Sequence, residues 1–365
     1  MPLEEPAWWY AAEPDARARL LRPLAALYGW AAARRLRRTQ PYRSRLPVVC
    51  VGNFTAGGTG KTPLALAIAR HLLDEGETPV FLTRGFKGRA KGPRWVDTEV
   101  DTATEVGDEP LLLARLAPVM IARDRRAGAM AIERGDRAAS VIVMDDGLQN
   151  PALVKDFAIA VVDGGRGLGN GLVIPAGPLR AGLGLQLRLA DAILVNAARD
   201  APSGQGSISV DAQLRGCFAG PVLAASPAPT GDTSWIAQRP LVAYAGIGNP
   251  ERFFALLERL GGGLAGRARF ADHHPFSEAD ARRLLAEAER HDAALVTTEK
   301  DLARLSGLGG ARARLRQASR ALAITLAFED RDADRLADLL RAALATGGYR
   351  AGLSQGRGGS PRVSR

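Results

Sequence analysis

The pattern of apolar and polar positions divides the chain into two α/β regions with a different composition around them. From Leu46 to about Asn196, short continuous apolar runs alternate with stretches of helical periodicity. Continuous runs are typical of strands that are buried on both faces of a parallel sheet. The predicted strands are Val48–Val51, Pro79–Leu82, Pro118–Ile121, Val141–Met144, Ala158–Val162 and Ala192–Val195. We therefore expect an α/β fold with a doubly wound, mostly parallel sheet.

A second α/β pattern begins near Leu241. It predicts strands at Leu241–Ala245, Ala294–Thr298 and Ala321–Ala327, helices after Pro250 and Ser277, and a last helix at Asp330–Ala345. A stretch rich in Pro, Gly, Ser and Ala precedes it and has room for one or two strands, and a Gly, Ser and Arg tail follows it. Such compositions are typical of linkers and disordered ends. The predicted organisation is an N-terminal segment 1–40, a core 41–205, a linker 206–239, a smaller C-terminal α/β domain 240–346 and a disordered tail 347–365.

The N-terminal segment combines aromatic, apolar and basic residues. Trp8, Trp9 and Tyr10 come first, an apolar stripe follows on one helical face, and four arginines close the segment. The stripe comprises Leu20, Leu24, Leu27, Tyr28 and Ala31, the arginines are Arg34, Arg35, Arg37 and Arg38, and Pro23 falls inside the helix. This composition suits a helix that lies on an anionic membrane surface. It also suits an amphipathic helix that packs on its own domain, and the residues alone leave both alternatives open.

Charge and cysteine content narrow the function classes. The net charge is +10, but the positive residues are nearly all arginine and no RNA-binding motif or zinc finger is present, so we expect no nucleic-acid partner. Cys50 and Cys217 are far apart, which argues against a disulfide framework. No run of 18 apolar residues predicts a transmembrane helix, and the first residues do not have the pattern of a secretory signal.

The stretch from Val48 to Thr62, VVCVGNFTAGGTGKT, has the strand–loop–helix pattern of a phosphate-binding loop. Glycines allow backbone N–H groups to point at an anion, and the helix N-terminus favours negative charge. In this pattern Lys61 would contact the β- and γ-phosphates of ATP, and Thr62 would hold Mg²⁺. The predicted ATP-binding residues are Thr55, Gly57, Gly58, Thr59, Gly60, Lys61 and Thr62. Thr55 stands where the usual pattern has its first glycine.

Acidic residues follow a second apolar strand. Asp145 and Asp146 end the run that begins at Val141, and Gln149 comes shortly after them. Acids at this position of a phosphate-loop protein hold Mg²⁺, directly or through water. We therefore predict a P-loop NTPase-like core that binds a nucleotide phosphate and Mg²⁺.

Other polar positions are ambiguous when each is taken alone. Asp108 in Gly107-Asp108-Glu109-Pro110 fits a helix cap as well as a base that faces the acceptor. His273, between Asp272 and His274, fits a structural histidine or one that orients a carboxylate. Arginines that follow strands or lie in Gly-rich loops suit anion recognition, although any of them could be a surface residue; they are Arg84, Arg123 and Arg180.

Taken together, these motifs resemble one family. In chain order they are GNFTAGGTGKTP, TRGF, GDEP, MDDGLQN, DGGRGLGNGLVIPAGPLR, AGIGNP, ADHHPF and TTEKD. The set is similar to that of tetraacyldisaccharide 4′-kinases, over about residues 8 to 330. The resemblance implies phosphorylation of the 4′-hydroxyl of an acylated disaccharide 1-phosphate with ATP and Mg²⁺ in lipid A synthesis. It also implies a peripheral location on the cytoplasmic face of the bacterial inner membrane, which favours the membrane interpretation of the N-terminal segment.

The resemblance further implies roles for individual residues. Asp108 matches a catalytic carboxylate and His273 its partner, while Asp145 and Asp146 match acids near the metal and the transferred phosphoryl group. Residues near the lipid headgroup and phosphates would be Arg84, Arg123, Gln149, Asn170 and Arg180. Ala181-Gly182 after Arg180 departs from the family, which usually has an acid and then proline there. The alternatives are a kinase of a soluble small molecule and a membrane-associated ATPase switch. Oligomeric state is not predicted.

Overall fold

A computed structural model describes residues 5–11, 13–135, 137–196 and 209–355, with side chains through residue 345. In these ranges the strands are β1 Val48–Asn53, β2 Pro79–Thr83, β3 Arg94–Trp95, β4 Val119–Ile121, β5 Val141–Asp145, β6 Phe157–Asp163, β7 Ala192–Asn196, β8 Val222–Pro229, β9 Leu241–Ala245, β10 Leu264–Arg269, β11 Ala294–Thr298, β12 Ser319–Leu322 and β13 Ile324–Phe328. The α-helices are α1 Ala16–Arg38, α2 Lys61–Asp74, α3 Ala103–Val106, α4 Asp108–Leu113, α5 Arg125–Arg134, α6 Leu183–Leu187, α7 Val210–Cys217, α8 Pro250–Arg259, α9 Glu278–Arg290, α10 Glu299–Arg304, α11 Gly310–Ala318 and α12 Asp330–Gln355. Short 3₁₀ turns lie at Ala7–Tyr10 and Ser234–Ala237.

The larger sheet has the order β13-β8-β7-β6-β1-β5-β2-β4-β3. Its strands are parallel except where β3 meets β4 and β13 meets β8. β1 pairs in parallel with both β5 and β6, so the strand order reverses at its carboxyl end, which is where open α/β sheets bind ligands. The predicted doubly wound, mostly parallel sheet is therefore confirmed.

The apolar runs of this sheet are buried on both faces, as their continuity predicts. Val49 and Val51 pack with Leu64 and Ile68 of α2 on one face. Cys50, on the other face, packs with other buried residues from neighbouring strands. Because successive strand residues point to opposite faces, one unbroken run supplies both cores.

The smaller sheet has the order β10-β9-β11-β12 and all of its pairs are parallel. Helices α8, α9 and α11 pack on it. Ser277 caps α9 as predicted and forms a capping box with Asp280. This sheet is inserted between two strands of the larger sheet, because the chain leaves after Pro229 and returns at Ile324, its register partner.

The structure corrects three predictions about this part of the chain. The stretch 206–239, predicted as a linker with room for one or two strands, contains the helix α7 and the strand β8, and β8 is not part of a linker but an inner strand of the larger sheet. Its prolines, Pro227 and Pro229, lie beyond Ala225, where the pairing with β7 ends, so their missing N–H groups interrupt no bond to β7. The single strand predicted at 321–327 is two strands, β12 and β13, which belong to different sheets. Helix α12 extends to Gln355 rather than ending near residue 345, and residues 356–365 lie outside the described ranges.

Helix α1 packs through its small residues and exposes its large ones. Ala18 and Ala25 are buried, and Gly29 lies against Val173. The predicted stripe points the other way, since Leu20 is 81% exposed, Leu27 is 62% exposed and Trp30, near that face, is 57% exposed. The prediction of a helix is confirmed, and the interpretation in which the stripe packs on its own domain is wrong. No helix among the described residues is both long and apolar enough to span a bilayer.

Candidate active site

The phosphate-binding loop lies between β1 and α2, at the point where the strand order reverses. Gly57 and Gly60 have φ values of 90° and 97°, which side chains with a Cβ rarely adopt. Gly60 precedes the first turn of α2, so the loop leads directly into the helix N-terminus. The side chain of Asn196, at the end of β7, donates to the Thr59 carbonyl oxygen at 2.9 Å and fixes the loop from behind.

Thr55, which stands in place of the usual first glycine, is buried and forms a backbone β-bridge. It pairs with Leu179 as an isolated antiparallel bridge, and its carbonyl oxygen accepts a hydrogen bond of 3.0 Å from Arg180 Nε. Arg180 Nη1 also donates to Asp146 Oδ1 at 2.8 Å. Arg180 therefore joins the loop to the acid pair, although Ala181-Gly182 departs from the family pattern there.

Lys61 and the acids that follow β5 form the charged centre of the site. Lys61 Nζ lies 3.8 Å from Asp146 Oδ1 and 3.5 Å from the Gly57 carbonyl oxygen. Burial would raise the pKa of Asp146, but the charges of Lys61 and Arg180 outweigh it and hold the pKa below its ordinary value. Asp146 also has a φ of 52°, a strained conformation for a residue other than glycine, and such strain is common at functional sites.

Asp145 is a buried carboxylate with unsatisfied oxygens. Within the described part of the chain, neither Oδ1 nor Oδ2 has a hydrogen-bond partner. Burial, with the nearby charges of Glu109 and Asp146, raises its pKa to about 7. A bound cation would offset the free-energy cost of burying this charged carboxylate without partners. Asp145, Asp146 and the Thr62 hydroxyl therefore fit a Mg²⁺ ion. No cluster of three or more metal-binding side chains occurs among the described residues, and Mg²⁺ commonly uses one or two carboxylates with substrate phosphates and water.

The two acids should respond oppositely to neutralisation. The raised pKa of Asp145 means that the folded chain retains a proton that the unfolded chain releases between about pH 4 and pH 7. Stability therefore falls as pH rises through this window, and Asp145→Asn should raise Tm above pH 7 without Mg²⁺. Asp146→Asn should lower Tm at neutral pH because Lys61 and Arg180 lose their partner, and this deficit should shrink once the pH falls below about 4.

Thermal unfolding of both variants in EDTA from about pH 2.5 to about pH 8.5 measures these effects. Mg²⁺ should raise the Tm of the unmodified chain at pH 8 and that of Asp145→Asn much less. A lower Tm for Asp145→Asn than for the unmodified chain at pH 8 would show that the charged Asp145 carboxylate does not destabilise the folded chain.

Asp108 and His273, which are predicted as a pair, lie together although they come from different domains. His273 Nδ1 lies 2.9 Å from Asp108 Oδ2, and both residues are largely buried. His273 has a φ of 59°, and the ring of Phe86 packs edge-on against it at 5.5 Å between centroids. His274, by contrast, contacts Asp280 in the α9 capping box, which agrees with a structural role for this second histidine.

Glu109 and Lys300 are charged residues near the site that the sequence analysis did not single out. Lys300 Nζ donates to Glu109 Oε1 at 2.7 Å, and the same oxygen lies 3.5 Å from Thr62 Oγ1. Burial opposes ionisation of Glu109, but the charge of Lys300 lowers its pKa. Both residues fall within motifs that resemble the family, GDEP and TTEKD, and this is the signal in the sequence that could have identified them.

The residues predicted near the lipid headgroup lie in three places. Gln149 lies at the loop, where its Nε2 donates to the Asn53 carbonyl oxygen at 2.6 Å, and Arg180 contacts Asp146 as described above. Arg84 and Arg123 are exposed in the loops after β2 and β4. Asn170 holds its own Gly-rich loop, since its Nδ2 donates to the Ala176 carbonyl oxygen at 2.9 Å. Substrate contacts for all five residues stay predictions.

A carboxylate from the N-terminal segment lies against the phosphate-binding loop, which the sequence did not indicate. Glu5 accepts hydrogen bonds from Tyr10 Oη at 2.7 Å and from Arg166 Nη1 at 2.9 Å. A Cβ added at Gly57 would overlap the Glu5 carboxylate. Arg166 also donates to the Gly248 carbonyl oxygen of the smaller domain at 3.3 Å. Glu5 of the N-terminal segment thus lies between the loop and Arg166, which in turn contacts the smaller domain.

Glu5→Gln should increase the affinity for ATP. The substitution keeps the size of the side chain and removes a negative charge near the position expected for the triphosphate. An exposed charge pair contributes on the order of 1 kcal/mol, so we expect the Kd for ATP to fall about fivefold. Isothermal titration with ATP and with adenosine measures this, and adenosine, which has no phosphate, serves as the control. An unchanged Kd for ATP would contradict the expected repulsion.

Comparison with known proteins agrees with this geometry. The family model for tetraacyldisaccharide-1-P 4′-kinase matches residues 17–345. Two similar relatives are named tetraacyldisaccharide 4′-kinase. The relative from Rhodopseudomonas palustris (strain BisB18) is 48% identical over 91% of this chain and 94% of its own length. The relative from Nitrobacter hamburgensis is 49% identical over 90% of this chain and 95% of its own length. A similar solved structure is LpxK from Aquifex aeolicus in complex with ATP, with a TM-score of 0.69 and 23% identity over 90% of this chain and 99% of that one; it supports the fold. From the family model and the relatives, we conclude that this chain belongs to the tetraacyldisaccharide-1-P 4′-kinase family.

Proposed function

We propose that the protein transfers the γ-phosphate of ATP to the 4′-hydroxyl of a tetraacyldisaccharide 1-phosphate, a lipid A precursor, and forms lipid IVA. The observation that carries the proposal is the approach of Asp108 and His273 beside a phosphate-binding loop, in a chain that belongs to this kinase family. The relatives at 48% and 49% identity are named for this activity.

The loop side of the site would hold the donor. Backbone N–H groups of the loop and the N-terminus of α2 suit the phosphates, and Lys61 would neutralise the charge on the β- and γ-phosphates. Thr62, Asp145 and Asp146 would hold Mg²⁺, which when bound neutralises the charge that develops on the phosphate oxygens. The two unsatisfied oxygens of Asp145 support this assignment.

The other side would bind the acceptor. The Asp108–His273 pair would take the proton of the attacking 4′-hydroxyl, while the phosphoryl group passes from ADP to the hydroxyl oxygen in line. Arg84, Arg123, Gln149, Asn170 and Arg180 would contact the headgroup and its phosphate. His273 comes from the smaller domain and Asp108 from the larger one, so the pair would be complete only when the two domains are in contact.

Incubation with γ-labelled ATP, Mg²⁺ and the acylated disaccharide 1-phosphate tests the proposal. We expect label in the lipid and release of ADP. Release of labelled phosphate without labelled lipid would favour an ATPase switch instead. Transfer to a soluble sugar, with none to the acylated disaccharide, would favour a kinase of a soluble small molecule.

We also infer that α1 binds an anionic membrane surface, on the cytoplasmic face of the bacterial inner membrane, where such a lipid would be presented. Its exposed leucines and Trp30 form an apolar face, and Arg34, which lies over the Trp30 ring at 5.5 Å, adds charge beside it. An apolar face flanked by arginines suits the boundary between headgroups and acyl chains.

Replacement of Leu20, Leu24 and Leu27 by serine should release the protein from vesicles. Each buried leucine contributes about 1.5–3 kcal/mol, so we expect binding to phosphatidylglycerol vesicles to fall at least about tenfold in co-sedimentation. The three side chains are exposed, so Tm should stay nearly unchanged. Leu73→Ser on α2, another exposed leucine, is the matched control, and full retention of the triple variant on vesicles would contradict the inference.

A further inference from the structure

A group of exposed cations lies at one edge of the larger sheet, on the loops that follow β2 and β4. Thr83, the last residue of β2, pairs in parallel with Ile121, the last residue of β4, so the two loops leave the sheet side by side. The cations, which we call the basic rim, are Arg84, Lys87, Arg89, Lys91 and Arg123. Arg84 and Arg123 are proposed above as headgroup contacts, and the other three have no role in the proposed function.

No carboxylate balances the charge of the basic rim within the described part of the chain. None of its five side chains lies within ion-pair distance of an Asp or Glu there, whereas Arg94, a few residues further on, is paired with Asp101. Asp124, which lies next to the rim in the sequence, instead caps the N-terminus of α5. Neighbouring cations without acidic partners favour an anionic ligand.

The two loops that carry the basic rim are bonded to each other. The Arg123 N–H donates to the Lys91 carbonyl oxygen at 2.9 Å. Arg123 Nη2 donates to the Gly88 carbonyl oxygen at 3.2 Å, which places this guanidinium beside the turn between Lys87 and Arg89. The cations of both loops therefore form one patch.

The first of these loops is also fixed to the segment that leads into Asp108. The Arg89 N–H donates to the Thr104 carbonyl oxygen at 3.1 Å. A Cβ added at Gly88 would lie 2.7 Å from the Glu105 carbonyl oxygen, so the two backbones approach each other as closely as a glycine allows. The basic rim therefore has a fixed position relative to the carboxylate of the Asp108–His273 pair.

One end of the basic rim contacts the residues around His273. The ring of Phe86, which is 50% exposed, packs edge-on against the His273 ring. Lys87 Nζ donates to the Asp272 carbonyl oxygen at 3.2 Å. A ligand bound at the Asp108–His273 pair would therefore lie beside Phe86 and Lys87, at the start of the patch.

The other cations near the pair already have acidic partners. Arg304, at the end of α10, is 8% exposed and donates through Nε to Asp108 Oδ2 at 2.6 Å. Lys300, Lys61 and Arg180 each contact a carboxylate, as described above. Among the described residues near the pair, the exposed cations left for an anionic group of the acceptor are those of the basic rim.

We infer, resting on the proposed function, that the basic rim binds the 1-phosphate of the acceptor and makes the enzyme select a 1-phosphorylated disaccharide. The acceptor carries its 4′-hydroxyl on one sugar and its phosphate on the other, so a hydroxyl placed at the pair leaves the phosphate at a distance from it. Lys87 contacts the loop of His273, and the remaining cations extend the patch along the loops after β2 and β4. Arginine and lysine donors suit a phosphate group.

The test compares two acceptors in micelles of a non-ionic detergent: the acylated disaccharide with its 1-phosphate, and the same lipid with a free 1-hydroxyl. Arg89→Gln combined with Lys91→Gln removes two charges of the basic rim. Lys87 is kept, because its ammonium also contacts the Asp272 carbonyl oxygen. The KM for the 1-phosphate lipid should rise about tenfold, the effect expected of two exposed charge pairs, while kcat and the KM for the 1-hydroxyl lipid should stay unchanged.

Two further variants control for charge and for structure. Arg89→Lys combined with Lys91→Arg keeps both charges and should keep the preference for the 1-phosphate. Arg314→Gln combined with Arg316→Gln removes two exposed arginines from α11, so it matches the change in net charge and should alter neither KM. An equal rise of KM for both lipids in the Arg89→Gln, Lys91→Gln variant would reduce the rim to a structural role. Either that result or an unchanged preference for the 1-phosphate would overturn the proposal.

Binding measurements separate the 1-phosphate from the phosphates of a membrane surface. On phosphatidylglycerol vesicles, the Arg89→Gln, Lys91→Gln variant should co-sediment as well as the Arg314→Gln, Arg316→Gln control. Weaker sedimentation than that control, with an unchanged preference between the two lipids, would mean that the rim binds the membrane surface and would overturn the proposal.

Equilibrium binding of the two lipids in non-ionic micelles needs no turnover. The unmodified protein should bind the 1-phosphate lipid more tightly than the 1-hydroxyl lipid, and the Arg89→Gln, Lys91→Gln variant should lose most of this preference. Equal affinities in the unmodified protein would overturn the proposal. If the unmodified enzyme transfers no phosphate to lipid, the proposed function fails, while this binding measurement still decides whether the basic rim recognises the 1-phosphate.

Discussion

Lys61→Ala is expected to lower kcat/KM for ATP by at least about 10²–10³-fold, the effect of removing one preorganised group that stabilises charge in a transition state. In the structure Lys61 faces Asp146 and the Gly57 carbonyl oxygen, so its charge lies at the loop. ATP would add negative charge there, and the alanine variant would have to bind it without this cation, through the backbone N–H groups and Mg²⁺. We expect the KM for ATP to rise and kcat to fall.

Steady-state kinetics with the acylated disaccharide and equilibrium ATP titration measure this loss. The matched control is Arg70→Ala, which removes an exposed cation from the same helix. Its kinetics should stay close to those of the unmodified enzyme. If Lys61→Ala binds and uses ATP normally, this loop does not hold the donor.

Asp108→Ala and His273→Ala should each lower kcat about 10²–10⁴-fold, the usual contribution of a positioned acid–base group. Because the two side chains share one hydrogen bond of 2.9 Å, they should act as a unit. The double variant should then lose little more than the worse single variant. ATP affinity should be retained in all three, since neither residue contacts the loop.

His274→Ala is the control for this series. It removes the adjacent histidine, whose contact is with Asp280 in the α9 capping box, and leaves Asp108 and Arg304 unchanged. Its kcat should stay within about threefold of the unmodified value. If the losses from Asp108→Ala and His273→Ala multiply in the double variant, the two residues act independently and the pair is not one functional unit.

The sequence predicted best those features that are encoded within a few neighbouring residues. The strands of the core were predictable because each is a continuous apolar run, and the phosphate-binding loop was predictable because its glycines, Lys61 and Thr62 are adjacent. The boundary between β12 and β13 was missed because a single residue, Ala323, separates them within one apolar run. Nothing in that run marks a change from one sheet to the other.

Contacts between distant residues could not be predicted in the same way. Glu109 and Lys300 are 191 positions apart, and Asp108 and Arg304 are 196 apart. Each of these residues has an ordinary pattern in its own helix, and only the fold brings the charges together. The packing face of α1 was also hidden, because its small residues, Ala18, Ala25 and Gly29, face inward and its leucines face outward, which reverses the usual pattern.

The insertion of the smaller domain limits how it can move. The chain crosses to it after Pro229 and returns before Ile324, and these residues are paired strand neighbours. The crossings are joined by a hydrogen bond of 3.0 Å from the Thr230 N–H to the Ala323 carbonyl oxygen. Two crossings at one place, joined by a hydrogen bond, can act as a double-stranded hinge, so the smaller domain can rotate about this pair while the β8–β13 pairing is kept. Such a rotation would carry His273 and Arg304 away from Asp108 as one rigid body, and the site would open and close in a single step.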